Sequence, residues 1–155
     1  MKPKYLYHGS PRKIKGGYFI PRAPPEIDPN NPENNQKAVY ATSFKEQAIR
    51  MSICRGDGVK DASMGVGKKD GKFFIRFCII LEGWPKHKEG YVYVLPSKTF
   101  KNEPKGSSQW VSTEKVKPIK IEKIIIKDHL SMIRKANKKE KAHAAKIQKQ
   151  REKMK

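Results

Sequence analysis

Apolar and polar side chains alternate along the middle of the chain, and this pattern predicts β-strands there. The segment Lys72–Trp84 predicts one long strand. Its main core face would carry five alternate apolar residues: Phe73, Ile75, Phe77, Ile79 and Leu81. Tyr91–Leu95 and Ile119–Ile126 are rich in β-branched and aromatic residues and predict two further strands. Short apolar runs predict strands at Tyr5–His8 and Ala38–Ala41.

One internal helix is predicted after the second of these short strands. Ser43 and Glu46 have the spacing of a capping box, and Phe44, Ala48 and Met51 follow on one helical face. Prolines and asparagines crowd Ile20–Lys37, which predicts a long surface loop. Residues 55–71 contain five glycines and are expected to be flexible. Because strands predominate without βαβ alternation, the expected class is α+β with a mostly antiparallel sheet.

The C-terminal part of the chain differs in composition from the rest. Residues 119–155 contain neither Gly nor Pro, and residues 134–155 carry ten Lys or Arg against two Glu. The sequence therefore predicts a helix that begins at Asp128 as N-cap and continues into a solvated basic arm. The expected organisation is one domain over residues 1–127 and a basic helical arm over residues 128–155.

Charge and composition narrow the possible partners. The 155 residues include 35 Lys or Arg and 15 Asp or Glu, for a net charge of +20. Such an excess favours an anionic partner, and the arm could bring the protein to nucleic acid or to an acidic protein. The longest apolar run is too short for a membrane span, and a cytoplasmic protein without membrane contact is expected. Cys54 and Cys78 are expected to be small buried apolar residues, and no metal-ligand spacing is present.

Two short motifs carry candidate chemistry. The first, Tyr5-Leu6-Tyr7-His8-Gly9-Ser10, places an imidazole and a bare backbone at the end of a strand. The second, Ala38–Ser43, is a short strand that runs directly into the predicted helix. By itself, the first motif is also typical of an ordinary strand end with a turn.

The order of these segments resembles the ADP-ribosyltransferases, specifically the diphtheria-toxin and poly(ADP-ribose) polymerase branch. That branch has a His-Gly-Ser/Thr motif, a loop over the dinucleotide, a strand with Tyr that leads into a helix, and a Glu near the start of a late strand. The matching segments here are His8–Ser10, Ile20–Lys37, Tyr40–Ser43 and Gln109–Ser112. The resemblance covers about the first 127 residues. It implies two small, mostly antiparallel sheets that frame a cleft.

The resemblance also implies NAD as a substrate and assigns a role to each matching residue. His8 would bond a ribose hydroxyl, the Gly9 backbone would hold the nicotinamide carboxamide, and Tyr40 would stack on the nicotinamide ring. Arg22 in the covering loop would contact a phosphate. The remaining cofactor-binding residues of the motifs would be Ser10 and Ser43. No metal is implied.

The chain departs from the family pattern at the position of its glutamate, which is Gln109 here. An amide can accept a hydrogen bond, but it cannot act as a base or neutralise a developing cation. Glu103 and Glu114 are nearby in sequence and could supply the charge, and Arg50 occupies the place of a second tyrosine. The leading hypothesis is a mono-ADP-ribosyltransferase with His8, Tyr40 and Gln109 as its catalytic set. The second hypothesis is a catalytically silent module of the same fold that binds nucleotide or nucleic acid, and the third is an RNA 2′-phosphotransferase. A basic nucleic-acid-binding domain without a dinucleotide site is the remaining alternative.

Overall fold

The computed structural model describes residues 2–24 and 27–154. Pro25 and Glu26 of the proline-rich loop and Lys155 of the arm lie outside the described residues. The described strands are β1 Tyr5–Ser10, β2 Val39–Thr42, β3 Val59–Ser63, β4 Val66–Lys69, β5 Lys72–Ile75, β6 Cys78–Gly83, β7 Glu89–Pro96, β8 Lys101–Asn102, β9 Gln109–Ser112, β10 Lys120–Ile125 and β11 Ile133–Lys135. The helices are α1 Lys45–Cys54 and α2 Lys138–Lys153, with 3-10 turns at Pro32–Asn35 and Ile126–Met132.

The strands form one large sheet, one small sheet and a separate hairpin. The large sheet has the order β10-β7-β1-β2-β9-β8 and is antiparallel throughout. The small sheet has the order β11-β6-β3, and β11 runs parallel to β6. Strands β4 and β5 pair only with each other within the described residues. The expected α+β class with mostly antiparallel strands is therefore confirmed.

The large sheet is covered on both sides. One side carries an apolar cluster to which Leu6 and Tyr93 contribute, and the loop after β1 covers it with Phe19. Helix α1 packs against the other side, where Ala48 is fully buried beside Val92. This contact is tight at Gly9, because a Cβ there would lie 1.8 Å from the Ala48 carbonyl oxygen. The lack of a side chain at position 9 is therefore required by helix packing.

A second apolar cluster joins α1 to the small sheet. Ile53, Cys54 and Cys78 are almost fully buried in it, together with Ile80. The two cysteines have the burial that the sequence predicted, and in addition they form a disulfide between the end of α1 and the start of β6. The covalent link was not expected from the sequence.

Two strand predictions are wrong in ways that matter for the surface. Lys72–Trp84 is not one strand, because the chain leaves the β4–β5 hairpin at Arg76 and Phe77 and enters the small sheet as β6. The break inverts the expected burial: Phe73 and Phe77 are exposed, whereas Cys78 is buried. The glycine-rich segment 55–71 is not simply flexible, since it contributes β3 and β4.

Both predicted helix starts are also wrong. The N-cap of α1 is Phe44, whose amide donates to Thr42 Oγ1, and Ser43 turns instead toward the Ser108 carbonyl. The C-terminal helix does not start at Asp128, because residues 126–135 form a 3-10 turn and β11, which anchor on the body through Ile126 and Ile133. Helix α2 starts after Asn137, which forms a capping box with Glu140.

Helix α2 has no buried residue along its length. It is thus a solvated basic helix, as predicted for this part of the arm. Among the described helices, none is both long and apolar enough to cross a membrane.

Candidate functional site

The three residues predicted as the catalytic set lie on three neighbouring strands. His8 is on β1, Tyr40 on β2 and Gln109 on β9, and β2 lies between the other two strands. Thr42 is opposite Tyr7 on β1 and opposite Gln109 on β9. Because paired residues share a face and neighbouring residues alternate, Tyr40 and Gln109 lie on one side of the sheet. His8 lies on the other side.

His8 links the two strands where their pairing ends. Strands β1 and β2 pair at a single position, and beyond it the His8 Nδ1 atom lies 2.7 Å from the Tyr40 carbonyl oxygen. The imidazole also packs against the Phe19 ring, with 4.6 Å between the ring centroids. Burial lowers the pKa of His8, and the hydrogen bond to Tyr40 opposes this effect without cancelling it.

The protonation of His8 follows from these contacts. A carbonyl oxygen accepts only, so Nδ1 carries the hydrogen and donates it to Tyr40. The other ring nitrogen, Nε2, is then a hydrogen-bond acceptor at neutral pH. His8 can therefore accept a hydrogen bond from a hydroxyl group, which is the interaction that a ribose contact requires.

The two residues after His8 are used within the fold. The side of Gly9 that a ligand would approach is filled by the backbone of Ala48 in α1. The Ser10 hydroxyl accepts a hydrogen bond from the Arg12 amide at 3.2 Å. These contacts are structural, so the expected ligand roles of Gly9 and Ser10 stay predictions.

Tyr40 belongs to a polar cluster between the 3-10 turn at Pro32–Asn35 and the connection from β8 to β9. Its hydroxyl donates to the Gln36 carbonyl oxygen at 2.6 Å. Burial raises the pKa of Tyr40, the hydrogen bond to Gln36 opposes this, and the nearby negative charge of Glu103 raises it further. The tyrosine is therefore a neutral hydrogen-bond donor at physiological pH.

Gln109 and Glu103 complete this polar cluster, which consists of Asn34, Gln36, Tyr40, Glu103 and Gln109. The Gln109 side-chain amide donates to Asn34 Oδ1 at 2.7 Å and to the Glu103 carbonyl oxygen at 3.0 Å. The Gln36 amide donates to the Glu103 carboxylate at 2.6 Å. The residue that replaces the expected glutamate is thus bonded to the backbone of Glu103, whose carboxylate is held by Gln36. Glu114, the other candidate, is exposed beyond the opposite end of β9.

The loop that contributes Asn34 and Gln36 is held in shape by Asp28. Its carboxylate accepts hydrogen bonds from the amides of Asn30 and Asn31 and from the side chains of Asn31 and Asn34. Partial burial raises the pKa of Asp28, but the hydrogen bonds outweigh it and lower the pKa below its usual value. The asparagines that indicated a loop in the sequence thus serve to order it.

The other predicted ligand residues are spread around this loop. The Arg22 backbone forms an isolated bridge with Ala38, just before β2, and the residue is exposed. Ser43, at the other end of β2, is bonded to the Ser108 carbonyl. Arg50 on α1 is 6% exposed and lies 3.1 Å from the Glu46 carboxylate, and its Nε has no partner among the described residues.

Sequence reasoning did not single out Asn34 and Gln36 as members of a site. Both lie in a segment whose composition indicated only a loop, and their partners are 67 and 75 positions away along the chain. No pattern in the sequence joins residues so far apart. Nothing in the described ranges groups three or more His, Cys, Asp or Glu side chains in a way that could hold a metal ion.

Comparisons with protein-family models, with curated proteins and with solved structures give no match for this chain.

Proposed function

We propose that the chain is a mono-ADP-ribosyltransferase that binds NAD where β1 and β2 separate, beneath the loop of residues 27–37. The observation that carries the proposal is that His8, Tyr40 and Gln109 lie on three adjacent strands. These three motifs are separated by 32 and 69 residues in the sequence, yet they meet in one region of the sheet. Since His8 lies on the other side of the sheet from Tyr40 and Gln109, NAD would have to pass through the gap between β1 and β2 to contact all three.

His8 and Tyr40 have the chemistry that the proposed binding needs. His8 accepts a hydrogen bond from a ribose hydroxyl at Nε2, because its Nδ1 hydrogen is already donated to the Tyr40 carbonyl. The Tyr40 ring supplies an aromatic surface for nicotinamide, with its hydroxyl fixed by Gln36. Arg22, exposed beside β2, and the unpartnered edge of Arg50 are candidates for the phosphates.

Glu103 provides the negative charge that Gln109 lacks. In the transfer, the bond between the ribose C1′ and the nicotinamide nitrogen breaks, and both electrons leave with nicotinamide. The ribose then resembles an oxocarbenium ion, which a nearby carboxylate stabilises. An acceptor nucleophile bonds to C1′ and releases its proton to solvent. Glu103 acts as the stabilising carboxylate, and the Gln36 amide holds it in place.

A second candidate function is a silent module of the same fold. It is favoured by the saturation of the polar cluster, in which Tyr40, Gln109 and Glu103 all bond within the chain. Such a cluster is stable without a ligand and would stay closed. Such a module would bind nucleotide without catalysing a reaction.

Incubation with NAD labelled in its adenine moiety tests the proposal, with protein and nucleic acid offered as acceptors. The variants are Glu103→Gln and, as a matched control, Glu114→Gln. We expect transfer by the wild type and by Glu114→Gln, and a reduction of about 100-fold or more in Glu103→Gln, since loss of one electrostatic contact commonly costs that much. Nicotinamide release at equal rates in all three proteins would contradict the role of Glu103. NAD binding without release in any of them would establish the silent module.

A further inference from the structure

The β4–β5 hairpin exposes aromatic rings next to basic side chains. Phe74 is 47% exposed and Phe77 is 52% exposed. Between Gly65 and Phe77 the basic side chains are Lys68, Lys69, Lys72 and Arg76, whereas Asp70 in the turn is the one acidic residue. Exposed aromatic rings beside a group of basic side chains form a candidate binding surface for an anionic partner.

The register of the hairpin places most of these groups on one side. Gly67 pairs with Phe74 and Lys69 pairs with Lys72. The Arg76 amide donates to the Gly65 carbonyl, so the pairing continues one residue beyond β5. Because every second residue of a strand points to the same side, one surface carries Lys69, Lys72, Phe74 and Arg76. We call this surface the basic–aromatic face.

Two glycines complete the basic–aromatic face. Gly65 and Gly67 lie across from Arg76 and Phe74, so β4 presents little more than backbone there. The Phe74 ring leans over Gly67, since a Cβ at position 67 would come within 2.2 Å of the ring Cζ. A Cβ there would also lie 2.7 Å from both ring Cε atoms, so one face of the ring lies over Gly67, and the residue keeps 47% of its surface exposed. Phe74 thus lies back against the hairpin between two basic side chains of its own strand.

We propose that the basic–aromatic face binds single-stranded nucleic acid, with one base stacked on Phe74 and the backbone phosphates held by Lys69, Lys72 and Arg76. An aromatic ring flanked by cations is the arrangement that single strands require, because unpaired bases stack on aromatic side chains while phosphates pair with Lys and Arg. The net charge of +20 attracts polyanions to the molecule as a whole.

The geometry favours nucleic acid over an anionic membrane. A ring that inserts into lipid has to project from the surface, whereas the Phe74 ring leans back over Gly67. An acidic peptide would satisfy the cations but would leave the ring without a planar partner. Lys68, on the opposite side of the hairpin, donates from Nζ to the Gly106 carbonyl at 3.2 Å, so the basic–aromatic face is directed away from the connection that holds Glu103. Binding at the hairpin needs no NAD and holds whether or not the protein transfers ADP-ribose.

Fluorescence anisotropy with labelled 12-mers of oligo-dT and oligo-rU tests this binding, with a 12-base-pair duplex in parallel. The variants of the full chain are Phe74→Ala and the matched control Phe77→Ala, which removes an equally exposed ring from the end of the hairpin. We expect Phe74→Ala to weaken single-strand binding about 10-fold and Phe77→Ala to change it less than 2-fold. Duplex affinity, to which helix α2 contributes through charge alone, should be the same in all three. The two oligonucleotides show whether the face prefers DNA or RNA.

Two further variants probe the mode of binding. In Phe74→Trp, bound oligo-dT should quench the fluorescence of the new indole, and affinity should be retained. The double variant Lys69→Gln, Lys72→Gln should reduce the salt dependence of oligo-dT binding by about 1.4 in log–log slope, as expected for two lost phosphate contacts. Equal single-strand affinity of Phe74→Ala and wild type would overturn the proposal. So would a Phe74→Ala defect seen only with vesicles that contain phosphatidylserine, because that result would assign the face to a membrane.

Discussion

Replacement of Gly9 by alanine should strongly destabilise the protein, because Gly9 is the point where α1 approaches β1 most closely. An added methyl group would lie 1.8 Å from the Ala48 carbonyl oxygen and 2.7 Å from its carbonyl carbon. Both atoms belong to the backbone of a helix and cannot rotate away. The strand and the helix must therefore move apart.

The size of the effect follows from the distance. Ordinary van der Waals contact begins near 3.4 Å, so relief of the clash requires a shift of about 1.6 Å. Such a shift loosens the fully buried contacts of Ala48 and Val92. Overpacking of a core costs about 1–3 kcal/mol, and the rigid neighbour places this case at about 3 kcal/mol. For a chain of this length, that corresponds to a fall in Tm of about 6–12 °C.

Thermal unfolding followed by circular dichroism measures the effect, and Gly65→Ala provides the matched control. No atom lies within 4 Å of a Cβ at position 65. The same substitution there should leave Tm unchanged or raise it slightly, because alanine restricts the unfolded chain. If Gly9→Ala unfolded within about 2 °C of Gly65→Ala, the close packing of α1 on β1 would be refuted, and with it the structural reason for glycine in this motif.

Two further predictions concern the helices. Glu140 accepts hydrogen bonds from Arg134 and from the Asn137 amide, and these lower its pKa to about 2 from an ordinary value of 4.5. Since the pKa is depressed in the folded protein, Glu140 stabilises α2 fully above about pH 4.5 and loses this effect as the pH falls toward 2. The ellipticity at 222 nm should fall over the same pH range. Glu140→Gln should lack this stabilisation at neutral pH and flatten the pH profile, whereas Glu152→Gln should keep it, and identical profiles would contradict the capping role. Ile53 is fully buried, so Ile53→Ala should lower the free energy of unfolding in urea by about 2–5 kcal/mol. Ile20 is exposed, and Ile20→Ala should change it by less than about 0.5 kcal/mol. Equal losses in the two variants would refute the assignment of Ile53 to the core.

The sequence predicted well those strands that stay in one sheet along their whole length. Glu89–Pro96 is a central strand of the large sheet. Val92 is buried on one side of the sheet, and Tyr93 and Leu95 are buried on the other. Hydrophobicity and β-branching are enough to indicate such a strand. The same reasoning failed at Lys72–Trp84, where alternation continues through a change of partner. The sequence does not record which sheet a strand joins, so the break at Arg76 and Phe77 could not be read from it.

The sequence contains a signal for the observed start of the C-terminal helix, although the prediction placed that start at Asp128. Asn137 and Glu140 have the spacing of a capping box, and they form one. The composition predicts Asp128 as the N-cap because good helix formers follow it in the arm. Tertiary contacts of Ile126 and Ile133 with the second apolar cluster hold that stretch in a 3-10 turn and a strand instead.

The candidate site was predictable in its parts but not in its arrangement. The motif order pointed to His8, Tyr40 and Gln109, and these residues lie on adjacent strands. That His8 faces the other side of the sheet depends on register, which turn chemistry alone does not fix over such long connections. Gln109 donates directly to the Glu103 backbone carbonyl, and the Glu103 carboxylate accepts from Gln36 of the loop. Their roles toward NAD stay predictions.

Calorimetric titration of NAD into the full chain tests the central claim most directly, with Tyr40→Ala and Tyr5→Ala as the paired variants. Tyr5 is an exposed tyrosine at the start of β1 and reports the general effect of losing such a ring. The account predicts micromolar binding to the wild type and to Tyr5→Ala, and binding weakened about 10-fold or more in Tyr40→Ala. Absence of heat and of any thermal shift at millimolar NAD in the wild type would contradict a dinucleotide site between β1 and β2.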